Sequence, residues 1–278
     1  MSTINVNGVK LAYDEAGTGR PVIWVHGSWT DRQGARLVAP LLAERYRMIT
    51  YDRRGHSQSE RPPGPHGVMA HVTDLAELIE QLDARPAHLV TNSMGGEIAL
   101  KLAMHRPELV ASLCLHEPPL YGIVADDPQI EQELQDLQAR FDRVRAELQR
   151  GNHETAARMF METVAIGPGA WDALPEPSRQ TFTQNAPTAL DDVNDPTRGT
   201  LDLSRLALLT FPVLLTVGGR SDPLAAAISA RLADALPNPV TYTFEDAGHI
   251  PHLTHPDLFA AVVKGFLDDV AADNGSTR

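Results

Sequence analysis

Cysteine, aromatic residues, long apolar runs and clustered positive charge are all scarce in this sequence. Cys114 is its one cysteine, which rules out an internal disulfide framework and makes a reducing cytoplasm the expected compartment. It lies in the apolar run Ser112-Leu113-Cys114-Leu115, a setting for an inert buried thiol rather than a nucleophile. No run approaches the roughly 18 apolar residues of a membrane span. The start, Met1-Ser2-Thr3-Ile4, lacks the basic-then-apolar pattern of a signal peptide. A membrane partner is therefore not expected. Lys and Arg number 24 against 36 Asp and Glu, a formal net charge of −12. With no Lys/Arg run to offset it, that balance argues against a nucleic-acid partner. Paired cysteines and H-x-x-x-H spacings are missing, so no metal is expected. Gly17-Thr18-Gly19 is too short for a phosphate-binding loop and follows a hairpin strand, so no cofactor is expected either.

What is present is an alternation of apolar strands with helices. Residues 2–16 read as a hairpin turning at Asn7-Gly8. Pro21–Val25 is a continuous apolar run, as in a strand covered on both faces. A helix over about Asp31–Glu44, the strand Tyr46–Tyr51 and an amphipathic helix near 69–83 follow. Then come the strand Ala87–Val90, a helix after Ser93, and the strand Val110–Leu115. The pattern implies a mostly parallel eight-stranded sheet with helices on both faces, in which function gathers beyond the C-terminal strand ends.

Between about 120 and 205 the alternation stops. Apolar residues Ile130, Leu134, Leu137, Phe141, Val144 and Leu148 recur at helical spacing and end at Gly151. A second helix is expected over 153–165. Short helices are expected around Trp171 and around Ser178–Gln184, within an otherwise Gly/Pro-rich stretch. The reading is an inserted helical cap over 120–205 on a core of 1–119 and 206–278. The long helix's stripe packs on neighbouring helices, or else forms the seam of a homodimer. The sheet resumes at Pro212–Val217 and Val240–Phe244, with a helix to Leu236 between them. Pro256–Val270 is the closing helix, and the polar tail 271–278 is expected to fray.

The stretch Asn92-Ser93-Met94-Gly95-Gly96 lies between a strand and a helix, the geometry of a nucleophile elbow. Thr91 stands where such elbows usually begin with Gly, which leaves the packing of the turn open. Ser is a poor nucleophile until a base takes its proton, His titrates in the range to do so, and a carboxylate fixes the His tautomer. His249, in Gly248-His249-Ile250-Pro251 after the last strand, is the candidate base. Two carboxylates follow strands and could serve it, Asp222 and Glu117. The oxyanion would be held by backbone N–H groups of Met94 and of Ser28 in the His26-Gly27 loop. His26, Asp52 and His56 read as loop braces. Trp29, Trp171, Phe160 and Met161 are candidate walls of an apolar substrate pocket.

The order Ser…Asp/Glu…His at strand ends resembles the α/β-hydrolase superfamily over about residues 2–270. His26-Gly27, Asp52-Arg53-Arg54-Gly55-His56-Ser57, the Ser93 elbow, Gly219-Arg220-Ser221-Asp222 and Gly248-His249-Ile250-Pro251 carry the likeness. The resemblance implies a serine hydrolase that cleaves an ester or lactone of a small, largely apolar molecule through an acyl-enzyme. Ser at the elbow departs from the Asp of the haloalkane dehalogenases and epoxide hydrolases. Leu115-His116-Glu117-Pro118-Pro119 looks like the fungal zearalenone lactonases, whose triad acid is a Glu at that place, which raises a lactone substrate by analogy. C–C bond hydrolysis, perhydrolysis or cyclisation could use the same triad. A non-enzymatic small-molecule receptor is the remaining alternative, and one for which a full triad would be superfluous.

Overall fold

The computed structural model describes residues 1–275. Its strands are β1 (Ser2–Val6), β2 (Val9–Ala16), β3 (Pro21–Val25), β4 (Arg47–Tyr51), β5 (Ala87–Asn92), β6 (Val110–His116), β7 (Val213–Gly218) and β8 (Val240–Phe244). They form one eight-stranded sheet in the order β1-β2-β4-β3-β5-β6-β7-β8. The β1/β2 and β2/β4 pairs are antiparallel; every later pairing is parallel. The first hairpin turns at Asn7 and Gly8, both at positive φ (45° and 72°), the backbone that an Asn-Gly pair tolerates.

The central strands are apolar on both faces because both faces are covered. In β3, Ile23 and Val25 join one core layer while Val22 and Trp24 join the other. Alternation with period two sends them to opposite sides. Helices α2 (Val68–Gln81) and α3 (Met94–His105) pack into the first layer. The second layer is closed by α1 (Ala39–Ala43) and α10 (Pro256–Gly275), whose Phe259, Val263, Phe266 and Leu267 are buried there. Among the described residues no helix is long and apolar enough to cross a membrane.

Between β6 and β7 the chain builds α4 (Glu131–Gln149), α5 (His153–Phe160), α6 (Ala170–Ala173) and α7 (Glu176–Asn194). Helix α4 buries Leu137, Phe141, Val144 and Leu148, the stripe read from the sequence. After α5 the helix widens into one π-helical turn, Met161–Ala165.

Several expectations are corrected. The helix expected over 31–44 is a 3₁₀ turn, Arg32–Ala35, followed by the short α1. Asp31 accepts from the Gln33 N–H at 2.9 Å and starts that turn, and Pro40 restarts the chain as a separate helix. The short helix expected around 178–184 is the 19-residue α7, with Pro187 inside it. Its inward face carries Asn185, Thr188 and Asp192, so hydrophobic periodicity does not reveal it. The closing helix extends through Gly275 rather than stopping at Val270, while 276–278 of the tail expected to fray lie outside the described residues. The helix between β7 and β8, α8, spans Pro223–Ala235, and the one-turn α9, Pro251–Thr254, follows His249.

Gly95 shows how tightly the sheet grips α3. A Cβ there would lie 1.9 Å from the Val25 carbonyl oxygen, which is fixed backbone. Gly95→Ala is expected to destabilise the fold by roughly 2–3 kcal/mol. Thermal unfolding should register this as a melting temperature lowered by roughly 5–10 °C.

Candidate active site

Ser93 sits between β5 and α3 with φ 54° and ψ −124°, a backbone conformation that costs a non-Gly residue roughly 1–3 kcal/mol. Its N–H donates to the His116 carbonyl (2.9 Å), and its own carbonyl accepts from Gly96 N–H (2.8 Å), so the strained turn is held at both ends. The dipole of α3 and its free N-terminal N–H groups start at this point. Thr91 does not disturb the elbow. It is fully buried, and its hydroxyl donates to the Cys114 carbonyl at 3.1 Å. Gly96 makes room for it: a Cβ at Gly96 would lie 3.2 Å from Thr91 Oγ1 and 3.0 Å from Pro118 Cβ. Space that a first Gly usually leaves is here supplied by the second.

His249 follows β8, and Asn92 Nδ2 donates to its carbonyl at 3.0 Å, tying the histidine loop to the residue before Ser93. Of the two candidate carboxylates, Glu117 is the one that reaches the ring. Its Oε2 lies 2.6 Å from His249 Nδ1, and its Oε1 accepts from the Gly218 N–H at 2.8 Å. Glu117 stands at the end of β6 with φ 46°, a second strained non-Gly residue. Burial alone would raise its pKa. The hydrogen bond and charge of His249, with His116 and Ser221 beside it, outweigh burial and hold it down at about 2. The carboxylate is thus an anion across the physiological range.

Asp222 is corrected as a candidate acid. It is the N-cap of α8, accepting from the Leu224 N–H at 3.0 Å. Its side chain is 43% exposed and lies 3.8 Å from Arg140 Nη1. A carboxylate engaged in a helix cap and facing solvent is not available to His249.

The proposed oxyanion donors flank Ser93. Met94 is the first residue of α3, and Ser28 lines the cavity above the serine. A Cβ at Gly27 would lie 3.2 Å from Ser93 Cβ, so the loop passes close over the elbow. That loop is braced from behind. His26 Nδ1 bonds the Gly27 carbonyl (2.8 Å) and its Nε2 accepts from the Arg53 N–H (3.0 Å), which fixes Nδ1 as the protonated nitrogen. Arg53 Nη2 donates to the Gly27 carbonyl (3.1 Å) and contacts His56 Nε2 (3.2 Å). Burial, with the charge of Arg53, drives both histidines well below their usual pKa and keeps them neutral. Asp52 accepts from the Arg32 and Gln58 N–H groups. These three residues brace loops, as read from the sequence.

Sequence reasoning missed the contribution of α7. Asp192 accepts from Ser28 Oγ at 3.3 Å, and Asn185 Nδ2 donates to the Trp29 and Thr30 carbonyls. Polar residues two turns apart on one helix face are the signal that could have revealed it.

Two adjoining cavities, of about 490 and about 450 Å³, meet at Ser93 and His249, sharing Ser28, Phe160, Ala165, Ile166 and Ile250. The first is walled by Glu117, Tyr121, Arg140, Phe141, Arg198 and Arg220. The second is walled by Met161, Leu174, Pro175, Pro177, Phe182 and Leu253. Of the four expected pocket residues, Phe160 and Met161 line these cavities. Trp29 and Trp171 do not; both are about 1% exposed, and Trp29 stacks behind Phe160 with ring centroids 5.1 Å apart. Large aromatic rings with a full set of apolar neighbours gain more from the core than from a cavity wall. His116, Glu117 and His249 also bring ligand atoms within 4.8 Å of one another. His116 Nδ1 is on Thr216 Oγ1 (2.9 Å) and Glu117 is on Gly218 and His249, while His116 Nε2 is buried without a hydrogen-bond partner.

Residues 22–262 match the Alpha/beta hydrolase family, and the chain belongs to it. It is 30% identical to BpoC of Mycobacterium tuberculosis, provisionally named a non-heme bromoperoxidase, over 95% of this chain and 100% of that protein. It is 34% identical to the hydrolase YraK of Bacillus subtilis, over 49% of this chain and 51% of YraK. A thermophilic esterase from Thermogutta terrifontis superposes with a TM-score of 0.74 at 25% identity, covering 97% of this chain and 99% of that one. The fold and family are those of a hydrolase.

Proposed function

We propose that this hydrolase cleaves a carboxylic ester or lactone through an acyl-enzyme on Ser93. The observation that carries the reading is the 2.6 Å bond between Glu117 and His249 Nδ1 beside the strained Ser93. With Nδ1–H held by the carboxylate, Nε2 is free to take the Ser93 proton as Oγ bonds the acyl carbon. The oxyanion would lie between the Met94 and Ser28 N–H groups. His249 then passes the proton to the departing alkoxide as the C–O bond breaks. Water, deprotonated by the same nitrogen, releases the acid. Ser rather than Asp at the elbow supports acyl transfer over the alkyl transfer of dehalogenases. Glu117 as acid is the feature shared with the zearalenone lactonases, and it is the support for including lactones.

The helices between β6 and β7 are proposed as a cap, with the two cavities beneath them as the substrate site. Ser93→Ala is expected to reduce p-nitrophenyl acetate turnover by at least ~10⁴-fold and to abolish labelling by a fluorophosphonate probe. Labelling retained at another residue, or turnover retained, overturns the assignment.

A further inference from the structure

The arginine Arg198 carries a charge that nothing in the proposed mechanism uses. It lies after α7 and lines the first of the two cavities that meet at Ser93 and His249. Its guanidinium lies over the Phe141 ring, 4.9 Å from the centroid. Its Nε is buried without a hydrogen-bond partner. Stacking of this kind leaves the donor edges of the guanidinium free.

The nearby buried charges can be paired off. Lys101 Nζ is 3.0 Å from Glu97 Oε1, and Arg53 Nη2 is 3.9 Å from Asp192 Oδ2. Arg198 acts on Glu97, Asp192 and Arg53 electrostatically, yet among the described residues it forms no ion pair of its own. The carboxylates bordering the cavity do not neutralise it either. Glu117 is bound by His249, Asp222 faces Arg140, and Glu162 stands on the π-helical turn without an ion pair to Arg198. Arg198 is thus a guanidinium at the cavity wall with no carboxylate paired to it among the described residues.

The backbone that carries Arg198 is fixed. Lys101 Nζ donates to the Thr197 carbonyl (2.7 Å), the Gly199 N–H donates to Glu97 Oε1 (2.9 Å), and the Gly199 carbonyl accepts from the Gly122 N–H (2.9 Å). Tyr121, from that same junction, also borders the cavity, and burial raises its pKa to about 12, so its hydroxyl remains a donor. A stacked, unpaired guanidinium on a rigid loop is preorganised for an anion.

We propose that Arg198, with Tyr121, forms an anion subsite, and that the substrate is an ester with one apolar limb and one limb ending in a carboxylate. The apolar limb enters the cavity walled by Met161, Leu174 and Phe182, and the carboxylate limb enters the other. This rests on the ester reading given above.

Three esters of matched size test it: benzyl pentanoate, benzyl hydrogen glutarate with the charge on the acyl limb, and 4-carboxybenzyl pentanoate with the charge on the alcohol limb. The wild type is expected to favour one charged ester over the neutral one by roughly tenfold or more in kcat/KM. In Arg198→Met that ratio should fall roughly tenfold, chiefly through KM, and Arg198→Lys should restore part of it. A wild type that prefers the neutral ester, or a ratio that survives in Arg198→Met, overturns the subsite. If the wild type turns over none of the three, the ester reading fails. The subsite is then judged by calorimetric binding of the same charged esters to wild type and Arg198→Met: roughly tenfold weakening supports it, and equal affinity overturns it.

Discussion

Glu117→Gln is expected to lower kcat by about 10⁴-fold, while Asp222→Asn changes it less than about threefold. The asymmetry follows from what each carboxylate touches. Glu117 Oε1 accepts from the Gly218 N–H, and Oε2 meets His249 Nδ1. A glutamine has one oxygen and one NH₂ for these two places. The Gly218 N–H can face only the oxygen, so the NH₂ must face His249. The imidazole is then driven to present a bare Nδ1 and a protonated Nε2, the wrong tautomer for taking the Ser93 proton. The charge that would stabilise the imidazolium is lost at the same step. Asparagine at 222, by contrast, still offers an oxygen to the Leu224 N–H and remains a good N-cap. Steady-state kinetics on an activated ester, with thermal melts to show that both variants fold, decide the matter. Equal losses in the two variants would remove Glu117 from its assigned place.

That distinction was not legible in the sequence, although much around it was. The hairpin, the parallel strands and the elbow announce themselves through local signals: Asn-Gly, continuous apolar runs, and small residues after a strand. Both carboxylates follow strands, so position alone leaves them equal. What separates them is the backbone beyond β7. A Cβ at Gly218 or Gly219 would lie 2.6 Å from the Ala247 or Glu245 carbonyl oxygen, so that turn packs directly onto the histidine loop. Asp222 is thereby carried past His249 to the start of α8. Helix α7 was hidden because its buried face is polar and hydrogen-bonded to loops 128 to 164 residues away in sequence. Arg198 was hidden for a similar reason: a loop arginine becomes informative only when its surroundings hold no partner for it. The aromatic pocket reading failed for Trp29 and Trp171 because composition does not say which side of a wall a ring occupies.

Acid is expected to unfold this protein sharply, well above the pH at which carboxylates alone would do so. His88 and His116 are held neutral by burial, each with its pKa lowered from 6.5 to about 4. His26, His56, His71 and His252 are lowered by burial as well. The sign is the same for all six. Above pH 6.5 neither the folded nor the unfolded chain protonates them, and they leave stability unchanged. Below 6.5 the unfolded chain takes up protons that the folded chain refuses, so stability falls as pH falls. For His88 and His116 the window runs from 6.5 to about 4, roughly 2.5 pH units, worth ~3 kcal/mol each at ~1.4 kcal/mol per unit. These two alone would remove ~6 kcal/mol by pH 4, comparable to the roughly 5–15 kcal/mol that a folded domain has in total. Asp52 and Glu97, whose pKa values burial raises, act in the opposite direction as pH falls through those raised values. Glu117, lowered to about 2, adds to the loss below pH 4.5. Urea unfolding at pH 7.5, 6.5, 5.5 and 4.5 should therefore show little change in the first interval and a steepening fall in the next two. His88→Gln, which keeps a polar partner for Ser112 Oγ (2.8 Å from His88 Nδ1), should flatten the fall by up to one proton's worth. A stability that is the same at pH 7.5 and 5 would contradict the neutral burial of these rings. Three of them, His26, His56 and His71, lie with Arg53 behind the Gly27–Ser28 loop, where Asp192 is the counter-charge. A second cation placed there by protonation would loosen that loop first, so ester turnover is expected to fail at a higher pH than the global transition.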